Sequence, residues 1–301
     1  MKSFGPFRSL WNEEQICDSG RVLMLEKIAS RVRDLPALPA IVTRVIQLTE
    51  DPNSTAKDLS ELLSHDQSLT AKVLRLANSA YYGFPRRINN VSDAVVLLGF
   101  GVIRSLVMAA SVYDLLEKPV QGYALAPGEL WRHSQVCAMG SRLIAQRVKY
   151  RYLDQAYIGG LLHDIGKVIL SEYLTEVYQQ VIDRVVQEKI TFTEVEVEIL
   201  GFDHAAVGAR VAEKWNLPPE LVDCIAYHHR PLQTTGNSTL ASIVHLSDAI
   251  CMTMGIGLGI DGMYYPLDSQ AVELLKLNTT DIELIMSRLA DALVDGNSIL
   301  A

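Results

Sequence analysis

The stretch Leu161-Leu162-His163-Asp164-Ile165-Gly166-Lys167 decides how the whole chain is read. It sets an imidazole beside a carboxylate, adds a glycine and a lysine, and lies between Ile158-Gly159-Gly160 and the apolar Val168-Ile169-Leu170. Neighbouring residues on a helix point about 100° apart. His163 and Asp164 can therefore reach one ion together only if other helices complete the ring, so the missing ligands must come from elsewhere in the chain.

Six of the seven histidines lie beyond residue 127: His133, His163, His204, His228, His229 and His245. Glu129 and His133 stand at i and i+4, on one face of a helix. His204 opens a helix after Gly201-Phe202-Asp203, and His228-His229 closes one ahead of Pro231. Asp248 sits inside an apolar helix with Ile243, Val244, Leu246, Ala249 and Ile250, a costly place for a carboxylate unless it is paired or liganded. Each residue alone is weak, since a lone histidine more often packs or hydrogen-bonds than binds a metal. The ordered set in one helical unit points to a metal. Imidazole with carboxylate and no thiolate suits Fe, Mn, Zn, Co or Ni better than calcium.

With 301 residues, 49% of them hydrophobic, the chain can bury one large core or two smaller ones, and two packed units are expected. A formal net charge of −8 opposes non-specific attraction to nucleic acid or to an anionic membrane. The four cysteines (Cys17, Cys137, Cys224, Cys251) are scattered, with neither a disulfide framework nor a thiolate zinc spacing, and read as buried free thiols. The first twenty residues lack the apolar core of a signal peptide, and no run approaches the ~18 apolar residues of a membrane span. A cytoplasmic protein is expected.

Apolar spacing predicts helices throughout, hence an all-α, two-part helical bundle. Residues 1–34 form a helical extension, 35–120 an N-terminal helical part, 127–256 the metal-binding part and 267–301 closing helices. In the first part helices are expected over 40–49, 91–98 and 102–116. Thr55 with Asp58 resembles a capping box for a helix that breaks near His65-Asp66. The segment 57–78 also fits a DNA-binding helix-turn-helix, but the acidic chain favours a structural corner. Pro119, Gly122 and Pro127 mark the boundary. Beyond it, helices are expected over 128–148, 155–170, 173–188, 191–200, 204–215, 219–227 and 239–254. A glycine-broken loop follows over 254–266, then one or two helices over 269–294, with Thr280 and Glu283 as a second capping box.

The ordered set resembles the HD superfamily of metal-dependent phosphohydrolases, and within it the HDOD domain, a relative of the HD-GYP phosphodiesterases. The resemblance covers roughly residues 33–255. It is carried by Leu35-Pro36-Ala37-Leu38-Pro39, Ala77-Asn78-Ser79-Ala80-Tyr81-Tyr82-Gly83, Val95-Val96-Leu97-Leu98-Gly99, the His163-Asp164 stretch and Ala226-Tyr227-His228-His229. It implies that His133, His163, Asp164 and Asp248 hold a first ion. It further implies that Asp164 bridges to a second ion completed by His204, His228 and His229, with Glu129 nearby and Lys167 facing a bound phosphate. Asp164 and Lys167 are then the catalytic candidates.

The implied cofactor is one or two divalent transition-metal ions, Fe or Mn in the first place, with Zn, Ni or Co as alternatives. The HD-GYP substrate loop is absent, because His228-His229 runs into Arg230-Pro231-Leu232. Three readings stay open. The first is a signal-transduction protein that holds metal and binds a signalling partner or a small phosphorylated ligand. The second is a phosphohydrolase acting on a nucleotide or cyclic nucleotide, and the third a metal-free scaffold. Tyr81, Tyr82 and Phe84 either form a docking surface or pack between the units.

Overall fold

In this computed structural model the described residues are 28, 30, 32, 34, 35, 37–82, 84, 86–259, 262 and 266–295. Most of the expected N-terminal extension and the last six residues lie outside them. The first part comprises α1 (Ala40–Glu50), α2 (Ala56–Ser64), α3 (Gln67–Ala77), α4 (Val91–Leu98) and α5 (Phe100–Leu116). The second comprises α6 (Glu129–Arg147), α7 (Leu153–Leu162), α8 (Ile165–Glu176), α9 (Tyr178–Glu188), α10 (Phe192–Leu200), α11 (His204–Lys214), α12 (Pro219–Tyr227) and α13 (Ser238–Thr253). Two closing helices follow, α14 (Ser269–Leu275) and α15 (Thr279–Asp295). The fold is all-α: among the described residues the only extended pairing is an isolated bridge between Val120 and Leu125. No helix is long and apolar enough to cross a membrane.

Local chemistry explains the breaks. Thr55 and Asp58 form the expected capping box at α2, and Asp66 caps α3 by accepting the Leu69 backbone N–H. The α2–α3 corner closes where the Thr70 hydroxyl donates to the Leu63 carbonyl at 2.7 Å. Leu59, Leu62, Leu63, Leu69 and Val73 are buried there, as a structural corner requires. The alternation Val195, Val197, Ile199 lies in α10, which starts on a capping box between Thr191 and Glu194. At α15 the expected box of Thr280 and Glu283 is displaced by two residues. Asn278 accepts the Asp281 backbone N–H at 3.0 Å, and Asp281 accepts that of Asn278 at 3.3 Å.

Two expectations along the chain are corrected. The continuous helix over 155–170 is broken at His163-Asp164, where α7 ends and α8 begins after Asp164 takes φ −96° and ψ 7°. The residues from 173 to 176 belong to α8, and the next helix starts only at Tyr178. The connector around 118–127 is exposed at six positions but buried at Val120, Gly122, Tyr123 and Leu125. Its bridge folds it into a tight turn, and Tyr123 is fully buried. A methyl group on Gly122 would meet the Ser171 carbonyl oxygen at 2.6 Å, so only glycine lets the turn lie against α8.

The buried helix α5 joins the two parts, and Arg104 on it pairs with Asp154 on α7. Helix α6 packs most extensively on α7 and α13, and α11 on α12 and α8. These crossings are tight because small residues meet. A methyl on Gly160 would lie 2.7 Å from the Cys137 carbonyl oxygen and 2.9 Å from Ala138 Cα. Tyr81 and Tyr82 pack against the core and meet edge to face at 4.9 Å, while Phe84 is 36% exposed. Cys137, Cys224 and Cys251 are buried free thiols.

Candidate metal centre

Five helix ends and faces bring the predicted residues together. His133 comes from α6, His163 and Asp164 from the α7–α8 break, His204 from the start of α11, His228 and His229 from the end of α12, and Asp248 from the middle of α13. All except the half-buried His229 are at most 1% exposed. The break supplies what a continuous helix could not: both side chains of the His163-Asp164 pair face the same interior point.

Asp164 sits between two groups of donors. Its Oδ2 lies 3.3 Å from His163 Nε2 and 3.6 Å from His133 Nε2, and its Oδ1 lies 3.2 Å from His204 Nε2 and 3.8 Å from His228 Nε2. Asp248 Oδ1 stands 3.0 Å from His133 Nε2 and 3.7 Å from His163 Nε2. His133 and His163 approach through Nε2 at 3.3 Å, and His204 and His229 through Nε2 at 2.8 Å. Three sets of these atoms could each hold an ion: His133, His163 and Asp248; His163, Asp164 and His228; His204, His228 and His229.

The far side of each ring fixes its tautomer. His133 Nδ1 donates to the Ile256 carbonyl at 2.9 Å, His163 Nδ1 to Gly160 at 2.8 Å and His228 Nδ1 to Ile225 at 2.8 Å. A carbonyl only accepts, so Nδ1 carries the hydrogen and the neutral ring turns its Nε2 lone pair inward. His204 Nδ1 is tied at 2.8 Å to the carboxylate of Glu196. Asp164 Oδ1, Asp248 Oδ1 and His228 Nε2 are buried without a hydrogen-bond partner, because the short distances around them lack hydrogen-bond alignment. Buried lone pairs without aligned donors are costly, and either a proton or a cation at the convergent point removes the cost. The imidazole and carboxylate donor set therefore fits a transition metal.

Two predicted residues are placed differently. Lys167 is 2% exposed, donates to Asp164 Oδ2 at 2.6 Å and lies 5.5 Å from the centre of the Tyr123 ring. It is neither a solvated helix residue nor, in this arrangement, turned toward a cleft. The Glu129 carboxylate accepts the Ala126 backbone N–H at 2.6 Å at the start of α6. His245 instead holds the surroundings, with Nδ1 donating to the His228 carbonyl at 2.9 Å and Nε2 accepting the Asp268 backbone N–H at 2.9 Å.

The electrostatics follow from burial. Although burial opposes charge, Asp248 and Asp164 raise His133, and Asp164 raises His163 well above the ordinary imidazole range. Against the same penalty, Glu196 and Asp164 push His204 up to about 10. Burial and the neighbouring imidazoles hold His228 and His229 well below the usual range. Asp164 and Asp248 stay well below the usual carboxylate range despite burial, because His163 faces both and Lys167 also faces Asp164.

The raised histidines stabilise the metal-free fold fully below the free imidazole value of ~6.5, and that contribution is lost as pH rises through the folded values. In chelator, the melting temperature is expected to fall as pH rises above ~6.5, the share of His204 being lost by about pH 10. The gain on adding manganese is expected to grow over the same window, since ion and proton compete for Nε2. Melting curves with and without chelator check both, and a gain independent of pH would contradict them.

A cleft of about 430 Å³ opens beside the centre, and its lining includes Glu194, Glu198, Asp203, His204, His229 and Arg230. Arg230 is held by Asp203, which accepts from it at 2.7 Å.

Fold and centre together define an all-helical protein built around a buried His-Asp site. The sequence profile of the HDOD domain matches residues 35–231. The chain belongs to that family. An HDOD domain protein of unknown function from Geobacter sulfurreducens, solved by crystallography, is 30% identical with a TM-score of 0.73, the match covering 91% of this chain and 95% of that one. A candidate phosphohydrolase from Shewanella amazonensis SB2B is 28% identical with a TM-score of 0.62, covering 87% of this chain and 97% of that one. An uncharacterized protein of Treponema pallidum (strain Nichols) is 26% identical over 203 residues, which is 67% of this chain and 39% of that protein. The chain thus spans well under half the length of that relative.

Sequence reasoning passed over Glu196. It is fully buried and accepts hydrogen bonds from Tyr123 Oη, the His204 backbone N–H and His204 Nδ1. The signal was present: Phe192, Glu196 and Leu200 recur every four residues, and all three are buried. A carboxylate in an apolar helical stripe is the same anomaly that singled out Asp248.

Proposed function

We propose that the chain is an HDOD-type signal-transduction protein that holds one or two divalent transition-metal ions and acts by binding a signalling partner or a small phosphorylated ligand. One observation carries the metal-holding part of this reading: the tautomers of His133, His163 and His228 are fixed by backbone carbonyls so that their Nε2 atoms converge on Asp164 and Asp248. His133, His163, Asp164 and Asp248 would hold the first ion, and His204, His228, His229 and the shared Asp164 the second. Fe or Mn suits these donors first, with Zn, Co or Ni as alternatives. A cytoplasmic setting and the absence of nucleic-acid binding belong to the same proposal.

A second reading, a phosphohydrolase, is favoured by the cleft that reaches His204 and His229 and by the description of the Shewanella relative. Bound ions would supply Lewis acidity toward a phosphoryl oxygen and a water of lowered pKa. His204 and His229 would face the ligand from the cleft, beside Arg230, which is already paired with Asp203. Untagged protein, loaded with Fe or Mn and assayed against generic phosphoesters and cyclic nucleotides, separates the two. Bound metal without turnover is expected for the regulatory reading. Turnover that disappears in Asp164→Asn overturns it in favour of the enzyme, and no bound metal overturns both.

A further inference from the structure

The geometry points to Glu196 as the positioning residue of the second ion site, and to Tyr123 as the residue that fastens it to the connector between the two helical parts. This rests on the metal-binding reading above. His133, His163 and His228 are each steered by a neutral backbone carbonyl, whereas His204 is steered by a carboxylate. Both Glu196 oxygens lie on His204 Nδ1, at 3.0 and 2.8 Å, and Oε2 also accepts the His204 backbone N–H at 3.1 Å. Oε1 accepts from the Tyr123 hydroxyl, and the Tyr123 ring meets His204 edge-on at 6.0 Å.

Charge explains why this histidine needs an anion. The first donor set contains Asp164 and Asp248, while the second has three imidazoles and only the shared Asp164. A divalent ion among three neutral imidazoles is under-compensated in a buried site. Glu196 places a full negative charge one ring away, which raises the basicity of His204 Nε2 and holds it 3.2 Å from Asp164 Oδ1. Tyr123 lies inside the turn that the Val120–Leu125 bridge closes, so the connector reaches the second donor set through two hydrogen bonds. Tyr123 also lies under Lys167, the cation that faces Asp164.

The test is equilibrium dialysis of the full chain with manganese, with metal counted per chain and Mn–Mn coupling read by electron paramagnetic resonance. In Glu196→Gln, the second manganese is expected to bind about 10- to 100-fold more weakly while the first is unchanged, and the coupled signal is lost. Tyr123→Phe keeps both His204 contacts and is expected to weaken the second ion by less than about tenfold. A general structural defect would lower both affinities together. If wild type binds two ions and Glu196→Gln binds both as tightly, this inference fails while metal binding stands. If wild type binds none, the functional reading fails first. Should Glu196→Gln not fold, nitrogen-15 histidine spectra of zinc-loaded wild type carry the test. His204 is expected with a protonated Nδ1 and a zinc-shifted Nε2, and zinc on Nδ1 overturns the assignment.

Discussion

Asp164→Ala is expected to lower the unfolding free energy by about 3–5 kcal/mol, because it leaves the fully buried Lys167 without the carboxylate 2.6 Å away. The same change removes the one group that faces both donor sets. Asp164→Asn separates the two effects, since the amide keeps the volume but not the charge. It is expected to fold, with a smaller loss of stability, and to release both ions. Chemical denaturation and elemental analysis of untagged protein read the two outcomes. A loss under about 1 kcal/mol in Asp164→Ala would show that the other contacts of Lys167, the Tyr123 ring among them, hold its charge without the carboxylate. Full metal occupancy in Asp164→Asn would show that Asp164 is not the bridge.

Gly166→Ala is expected to be the most damaging glycine-to-alanine change among the described residues. Helices α8 and α11 cross where a methyl on Gly166 would run into the His204 carbonyl oxygen and come within 2.7 Å of the Gly208 nitrogen. These are backbone atoms of a packed helix and cannot rotate aside as a side chain would, so the cost is about 3 kcal/mol or more. The helices must part, and His204 then withdraws from Asp164, so metal binding should fall with stability. Gly101→Ala is the matched control. Its methyl would meet nothing nearer than Asp154 Cβ at 3.8 Å, and alanine suits a helix better than glycine by about 1 kcal/mol. Equal effects at the two positions would contradict the close crossing.

Much of this was legible in the sequence because it rests on local or periodic signals. Thr55 with Asp58 and the apolar spacing of the helices need only neighbouring residues. Asp248 announces itself as a charge in an apolar stripe, and the order of histidines along the chain was enough to gather the donor atoms. The misses are tertiary. The weak helix formers between Gln155 and Leu170, Gly159, Gly160 and Gly166, all lie inside α7 or α8, so propensity does not place the break. The chain breaks at His163-Asp164 because both side chains must face one buried point and α8 must reach the backbone of α11 at Gly166. Lys167 carries no sign of burial in its own sequence, and its partner is fixed by that break. Glu196 was masked by Glu194 and Glu198, one of which caps α10 while the other pairs with Arg184. The proline- and glycine-marked connector gives no sign in its own sequence that Tyr123 enters the core beside His204.

Convergence on a common ion is tested most directly by anomalous scattering from crystals of untagged protein grown in metal-replete medium, with data on both sides of the absorption edges of iron, manganese and zinc. The expected result is one or two edge-dependent peaks, the first among His133, His163, Asp164 and Asp248, the second among Asp164, His204, His228 and His229. Ordered water alone among those side chains, with no edge-dependent peak, would contradict it and leave the histidines as packing residues of a helical scaffold.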